Sequence, residues 1–188
     1  TLTASLVKGI GVEAVTDNER QAAKAVNFGL IYGMGANGLM NYAKNSYGVE
    51  MSLAEAQTFR TRFFEAYTGI KQWHGNVRRN VKETRTLGDR RRIWEDSPRI
   101  TELYNTPVQG TAADIIKKAL TLLPEALAET ESRIIGCVHD EILLETLEDH
   151  AEQVATILTE TMEQAGRYYL KQVPVVAEAR IATSWADK

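Results

Sequence analysis

The chain has 188 residues, 44% of them apolar and 25% charged, so it can bury a core, which excludes disordered, collagen-like and disulfide-scaffold proteins. Its single cysteine, Cys137, cannot form an internal disulfide, and no apolar run approaches the roughly 18 residues that a membrane-spanning helix needs. With 22 basic and 25 acidic residues the net charge is -3, so bulk charge does not favour polyanion binding. Any contact with nucleic acid must be local.

Charge is unevenly distributed along the chain. Residues 71–99 hold nine Lys or Arg and four acids, whereas residues 120–163 hold eleven acids and one Arg. This difference indicates separate roles for the two parts. No repeat and no low-complexity linker is visible, which disfavours solenoids and tethered modules.

Capping boxes mark two helix starts. Thr16 and Glu19 begin a helix that runs to about Tyr32, and Ser52 and Glu55 begin another toward residue 67. Residues 1–7 have the pattern of the middle of an amphipathic helix, so we expect the sequence to be part of a longer one. The other predicted elements are a helix over about 70–83, a hairpin over 84–94 turning at Gly88 and Asp89, a helix from Pro107 to about 127, a hairpin of strands 134–138 and 142–145, a helix over about 149–169 and a strand over 175–182.

The first predicted helix carries a row of four side chains. Arg20, Lys24, Phe28 and Tyr32 recur every four residues and therefore lie on one face, drifting by about 40° per step. Two cations followed by two aromatic rings match a nucleoside triphosphate, with its phosphates at one end and its sugar and base at the other. The alternative is a solvated cationic face with the aromatic side chains in the core.

The predicted hairpin tip carries His139, Asp140 and Glu141. At a tight turn both carboxylates can approach one cation, and hard oxygen ligands suit Mg²⁺. We expect apolar residues in the flanking strands to bury the hairpin and display the acids on a rigid platform. The alternatives are an exposed aspartate in an ordinary turn and a structural, hydrogen-bonded His139.

The segment NTPVQGTAAD, residues 105–114, is the third candidate. Pro107 and Gly110 are expected to form a bend before the helix, where Asn105 and Gln109 could reach base edges or sugars. The alternative is a capped helix start. Arginines and lysines between residues 78 and 92 could contact phosphates, or form an exposed basic face.

Together, in this order, these blocks resemble the family A DNA polymerases, the bacterial DNA polymerase I type. RQAAKAVNFGLIYG is similar to that family's fingers helix, VHDE to the palm hairpin with a catalytic aspartate, and the segments TLGDRRR, NTPVQGTAAD and the terminal SW also match. The resemblance implies an α+β fold, with mostly helical fingers and a small antiparallel palm sheet in an incomplete right-hand fold. The implied subdomains are fingers over 1–97 and the C-terminal part of the palm over 98–188.

The resemblance also implies roles for single residues. Arg20 and Lys24 would bind the phosphates of the incoming nucleotide, with Lys24 also protonating the leaving pyrophosphate. Phe28 would pack on the sugar, and Tyr32 would stack in the template-base pocket. The other implied roles are catalytic metal binding by Asp140 with Glu141 close by, and contacts of His139, Asn105 and Gln109 with the primer terminus or minor groove.

The implied function is DNA-directed DNA polymerisation, in which a primer 3′-hydroxyl attacks the α-phosphate of a deoxynucleoside triphosphate with two Mg²⁺ ions. The implied partners are primer-template DNA, deoxynucleoside triphosphates and an N-terminal polymerase portion with the rest of the palm and the thumb. No membrane partner is implied, and the expected location is the cytoplasm with the nucleoid, or an organelle or host cytoplasm. The alternative function is a catalytically inactive, polymerase-like remnant that binds nucleic acid.

Two departures from the family pattern limit these roles. The family's other catalytic block, similar to Asp-Tyr-Ser-Gln-Ile-Glu, has no counterpart in these 188 residues, so half of the metal site is missing and we expect the chain alone to be inactive. Thr101 and Glu102 stand where the family usually has an arginine. That minor-groove contact is therefore not assigned.

Overall fold

The computed structural model describes residues 1–79 and 81–187. The chain is α+β and forms two compact units. One unit comprises residues 1–84 and 91–106, and the other comprises residues 85–90 and the chain from Pro107 onward. Among the described residues, no helix is both long enough and apolar enough to cross a bilayer.

In the first unit, short helices surround one apolar core. The core is formed by Val26 and Leu30, together with Leu39, Ala56 and Phe63, all of them almost fully buried. Their spacing on each helix is that of an amphipathic segment with one face inward. The helices are α1 (Leu2–Lys8), α2 (Asp17–Ile31), α3 (Ala36–Tyr47), α4 (Leu53–Ala66) and α5 (Thr68–Val77).

Both predicted capping boxes are confirmed. At the start of α2, the Glu19 N–H donates to Thr16 Oγ1 at 3.4 Å, and the Thr16 N–H donates to Glu19 Oε2 at 2.7 Å. Ser52 and Glu55 make the same reciprocal pair at the start of α4, at 3.2 and 2.8 Å. Each box satisfies backbone donors that have no partner within the helix, which fixes the first residue of the helix.

Helix α3 has no counterpart among the predicted elements, which leave the chain between Tyr32 and Ser52 unassigned. Gly35 is the N-cap of α3 and Gly38 lies within it. Glycine lowers helix propensity, but Leu39 and Ala43 on this helix are completely buried. Tertiary packing therefore stabilises a helix that the local composition disfavours.

The predicted helix over 70–83 ends at Val77, six residues early, because the chain then enters a hairpin. The predicted hairpin itself is confirmed as β1 (Glu83–Arg85) paired with β2 (Arg91–Ile93). Arg91 Nη2 lies 2.6 Å from Glu83 Oε2, so an ion pair links the two strands. Glu83, which was expected to end the helix, is thus the first residue of β1, where Arg91 of β2 stabilises it.

The long helix begins earlier than predicted. Helix α6 (Ile100–Ala126) starts seven residues before Pro107, and both Pro107 and Gly110 lie inside it, so the expected bend before the helix is wrong. Proline lacks an N–H and leaves the carbonyl of Leu103 without its backbone donor. Leu103 and Tyr104 are almost fully buried, and their packing offsets this loss in the first turns.

In the second unit, α6 and α7 (Ala151–Tyr169) pack against an antiparallel hairpin of β3 (Arg133–Val138) and β4 (Glu141–Glu145). Their shared core consists of almost fully buried side chains from all three regions. Its buried members are Ala119, Leu123 and Leu127 of α6 and the following turn, Ile142 of β4, and Val154 and Ala165 of α7.

The predicted final strand over 175–182 is wrong: within the described residues this segment belongs to no strand. Val176 is 75% exposed and Ile181 50% exposed, so the alternating apolar residues there are not used to pair with a sheet. A strand requires a hydrogen-bonding neighbour, which an apolar pattern alone does not supply. The expected division into fingers over 1–97 and palm over 98–188 stays a prediction.

Glu19→Gln tests the capping box of α2. Hydrogen bonds from Thr16 and Lys8 hold the pKa of Glu19 at about 2, below its ordinary 4.5. The carboxylate therefore stabilises the fold above pH 4.5, and this stabilisation is lost as the pH falls from 4.5 toward 2. We expect Glu19→Gln to lower the free energy of unfolding at pH 7, and the difference from wild type to disappear in acid.

Urea unfolding between pH 7 and pH 2.5 measures this difference. Glu65→Gln, which changes an exposed residue of α4, is the matched control and should give a small difference that does not follow this acid profile. A Glu19→Gln curve parallel to wild type at every pH would contradict the role of the ionised carboxylate.

Candidate nucleotide-binding face and hairpin tip

The row predicted on α2 lies away from the core. Among the described side chains of this helix, the buried apolar ones are those of Ala23, Val26 and Leu30. At 100° per residue, the centre of this buried stripe lies about 150° around the helix axis from the centre of the row. Phe28 is 55% exposed, and Arg20 is also exposed. The alternative that placed Phe28 in the core is therefore excluded.

The cations on this face are not neutralised. Across residues 1–79 and 81–187, neither Arg20 nor Lys24 forms an ion pair or a side-chain hydrogen bond. The nearest acid along the helix, Glu19, is bound by Thr16 and by Lys8, whose Nζ lies 2.9 Å from Glu19 Oε1. The face therefore presents uncompensated positive charge beside an exposed ring, as a phosphate-bearing ligand requires.

Tyr32 occupies the C-cap of α2. Its φ is -92°, and the next residue, Gly33, has φ +80°, a left-handed conformation that glycine adopts without strain. The chain therefore turns sharply after Tyr32, and the half-buried ring stands at the end of the row of four.

His139 and Asp140 form the two-residue connection of the β3–β4 hairpin, where Val138 pairs with Glu141. His139 has φ +56°, in the left-handed region that strains a non-glycine residue by about 1–3 kcal/mol. His139 and Asp140 are exposed and Glu141 is half-buried. The predicted hairpin tip is confirmed as a place where polar side chains are displayed.

The hairpin is buried on one side only. Ile142 is 7% exposed, but Ile135 is 60% and Val138 38% exposed, so the expectation that all flanking apolar residues are buried is wrong. The strand register shifts between Ile134 and Gly136. This β-bulge leaves Ile135 without a cross-strand partner and interrupts the alternation of buried and exposed positions.

Asn105 and Gln109 are both exposed, as side chains that contact a ligand must be. They lie within α6 and not in a loop before it. Asn105 belongs to the first unit and Gln109 to the second.

The β1–β2 turn docks on α6, a contact that the sequence analysis did not predict. Arg90 Nε donates to Asp114 Oδ1 at 2.8 Å, and Arg90 Nη2 donates to the Gly110 carbonyl at 2.9 Å. The Leu87 N–H donates to Thr111 Oγ1 at 3.0 Å. A Cβ on Gly110 would lie 2.5 Å from Thr86 Cγ2, so only glycine permits this approach. Within the second unit, the β1–β2 turn is therefore fixed to the stretch of α6 from Gly110 to Asp114, which directly follows Gln109.

Most of the basic middle of the chain is engaged internally. Besides Arg90, Arg85 pairs with Asp89 at 2.6 Å and Arg91 pairs with Glu83 at 2.6 Å. The Arg92 guanidinium lies 5.1 Å from the centre of the Trp94 ring. These contacts favour a structural use of the arginines over the phosphate contacts that their number suggested.

Metal-ligating side chains are not clustered in the described part of the chain. It contains no cluster of three or more His, Cys, Asp or Glu side chains that could hold a metal ion. Asp140 and Glu141 offer hard carboxylate oxygens at an exposed turn, which suits Mg²⁺ bound through one or two carboxylates and several waters or phosphates. The donor set therefore fits one side of a magnesium site.

Sequence and structure comparisons give one consistent family. The profile of DNA polymerase family A matches residues 1–187. DNA polymerase I of Aquifex aeolicus is 43% identical over 97% of this chain, and the alignment covers 33% of that protein. The thermostable DNA polymerase I of Thermus thermophilus is 36% identical over 98% of this chain and 22% of its own length.

Among solved structures, the POL domain of Pol1 from M. smegmatis, in complex with DNA primer-template and dNTP, is similar with a TM-score of 0.73 and 31% identity. That similarity covers 87% of this chain and 30% of the solved chain. The present chain thus spans about a third or less of the length of these relatives. The match of the family profile to almost every residue, together with identities of 36–43% to two of these polymerases, establishes that the chain belongs to DNA polymerase family A.

Proposed function

We propose that this chain is the fingers subdomain (1–97) and the C-terminal part of the palm (98–188) of a DNA-directed DNA polymerase that adds deoxynucleotides to a primer 3′ end. The observation that carries the proposal is the exposed face of α2, where two unpaired cations precede an exposed aromatic ring. The solved M. smegmatis relative is bound to primer-template DNA and dNTP, which supports the same partners for this chain.

The α2 face would bind the incoming deoxynucleoside triphosphate. Arg20 and Lys24 would contact its phosphates, and Lys24 would protonate the leaving pyrophosphate. Phe28 would pack on the sugar and Tyr32 would stack in the template-base pocket. Because α2 is fixed by its core-facing side, these side chains can be pre-positioned for the ligand, which lowers the cost of ordering them.

The hairpin tip would supply one side of the catalytic metal site. Asp140 would hold Mg²⁺, with Glu141 close by. When bound, Mg²⁺ would stabilise charge on the attacking and leaving oxygens of the phosphoryl transfer. His139, with Asn105 and Gln109, would contact the primer terminus or the minor groove of the DNA.

A primer-extension assay tests the proposed function. The polypeptide that carries residues 1–188 together with the family's upstream catalytic block should extend a primed template with Mg²⁺ and all four deoxynucleotides. Asp140→Ala should abolish the extension. DNA binding without extension by the unaltered polypeptide would instead support the alternative of an inactive, nucleic-acid-binding remnant.

The 188-residue chain alone should not extend a primed template. Two-metal catalysis needs carboxylates on both sides of the cations. The described residues contain no cluster of three or more His, Cys, Asp or Glu side chains, so Asp140 and Glu141 would supply one side only. The same assay on the purified chain checks this. Template-directed extension that disappears with Asp140→Ala would contradict the expectation of an incomplete site.

In the complete polymerase, Lys24→Ala should reduce turnover more than Arg20→Ala. A cation near the middle of α2 can meet the charge that develops on the triphosphate, and loss of one such electrostatic stabiliser costs roughly 10²–10³ in rate. Single-turnover incorporation at saturating nucleotide measures the loss. Equal and small losses in both variants would mean that the row is only a solvated face.

Phe28→Tyr in the complete polymerase should increase the use of 2′,3′-dideoxynucleotides. A phenolic hydroxyl can supply a polar partner where the 3′-hydroxyl is missing, whereas Phe supplies none. Phe28 is 55% exposed, so the added hydroxyl would not be buried without a partner.

Competition between dideoxy- and deoxynucleotides in the two enzymes measures this selectivity. Phe59→Tyr, which alters a half-buried ring of α4 beside the first-unit core, is the control and should leave the ratio unchanged. If Phe28→Tyr folds normally and also leaves the ratio unchanged, Phe28 does not contact the sugar.

A further inference from the structure

We infer that His74 is a positioning residue for the end of α2: its ring holds the carbonyl of Ile31 and thereby fixes where Tyr32 stands. His74 lies on α5, 43 positions beyond Ile31 in the sequence. The consequence for polymerisation rests on the proposed function of Tyr32, but the holding of the helix end does not.

In the last turn of α2, the Gly29 and Leu30 carbonyls have backbone donors, and the Ile31 carbonyl is bound by His74. The Gly29 carbonyl accepts from the Met34 N–H at 2.9 Å, and the Leu30 carbonyl accepts from the Gly33 N–H at 3.0 Å. The Ile31 carbonyl, which directly precedes Tyr32, lies 2.7 Å from His74 Nε2. A helix end has carbonyls without intrahelical donors, and His74 serves the last of them.

The chemistry of this pair fixes the protonation of the ring. A carbonyl oxygen can only accept, so His74 Nε2 must carry the hydrogen and donate it. Burial, and then the positive charges of Arg78 and Arg60, lower the pKa of His74 below its ordinary value. The side chain is therefore a neutral imidazole at neutral pH, and its Nε2–H is the hydrogen-bond donor.

The ring of His74 is held rigidly. It stacks face to face on Tyr104, with centroids 3.9 Å apart and planes 7° apart. Phe64 approaches at 5.4 Å and Trp73 at 5.2 Å between centroids. His74 is only 9% exposed. The aromatic packing therefore restrains the ring from moving away from the Ile31 carbonyl.

Tyr104 holds the chain on the other side of Tyr32. A Cβ on Gly33 would lie 2.5 Å from Tyr104 Cε2, so the Tyr104 ring packs directly on the Gly33 backbone. The Tyr104 hydroxyl accepts from Arg78 Nε and lies 3.4 Å from the His74 carbonyl. The residues immediately before and after Tyr32 are therefore fixed by two stacked rings.

A buried histidine that only fills space would show different behaviour on substitution. His74→Phe keeps an aromatic ring for Tyr104 but removes the donor to the Ile31 carbonyl. His74→Gln keeps an N–H donor at a comparable reach but removes the ring. If the residue positions the helix end, Gln should restore what Phe loses; if it only packs, Phe should be the milder change.

Amide hydrogen exchange on the 188-residue chain tests the positioning directly. In His74→Phe, exchange of the Gly33 and Met34 amides should accelerate by about two- to tenfold, the effect of losing one hydrogen bond that restrains local opening. His74→Gln should return exchange toward the wild-type rate.

His150→Phe is the matched control, because His150 Nδ1 also bonds a carbonyl, that of Thr130 at 3.1 Å. It should leave the amides of Gly33 and Met34 unchanged. Unchanged exchange at these two amides in His74→Phe, or equal acceleration in His74→Phe and His74→Gln, would overturn the inference, whatever the activity of the polymerase.

The complete polymerase connects this positioning to template reading. His74→Phe should raise misincorporation opposite a template base by about two- to tenfold, the factor that corresponds to the free energy of one hydrogen bond. The kcat for the correct nucleotide should not change. His74→Gln should restore selectivity. Normal misincorporation in His74→Phe despite accelerated exchange would overturn the link to Tyr32, whereas normal incorporation by Tyr32→Ala would count against the proposed function itself.

Discussion

The candidate site depends on one constraint: α2 must be held from a single side. Val26 and Leu30 anchor its inner stripe in the core, and Thr16 caps its first turn. At the other end of the helix, His74 Nε2–H donates a hydrogen bond to the Ile31 carbonyl. Because these interactions approach from the core and from the helix ends, the outer face needs no structural partner and stays open to a ligand.

The distribution of ion pairs separates charges that stabilise the fold from charges that are available. In the arginine-rich turn, ion pairs with neighbouring acids neutralise Arg90, which is bound to Asp114, and Arg91, which is bound to Glu83. Arg20 and Lys24 sit in a less basic stretch but have no such partner in the described residues. Uncompensated charge, and not local charge density, therefore distinguishes the face that we propose as the binding site of the triphosphate.

Elements with short-range causes were predictable. The capping boxes at Thr16 and Ser52 and the turns of both hairpins follow from side chains within a few residues of each other. Elements that depend on distant residues were not predictable. Helix α3 forms because Leu39 is buried by other helices. The helix around Pro107 begins early because Tyr104 is buried in the first unit. The strand expected over 175–182 failed for the same reason, since pairing depends on a neighbour.

The sequence by itself determined the row on α2 and the acids of the hairpin, because helical and strand periodicities assign side chains to faces before any packing occurs. The same patterns also carried the resemblance to the family. Tertiary structure alone decided which face of α2 is open, that Arg90 meets Asp114 and that His74 meets Ile31. The last two contacts join residues 24 and 43 positions apart, a separation that no local pattern encodes.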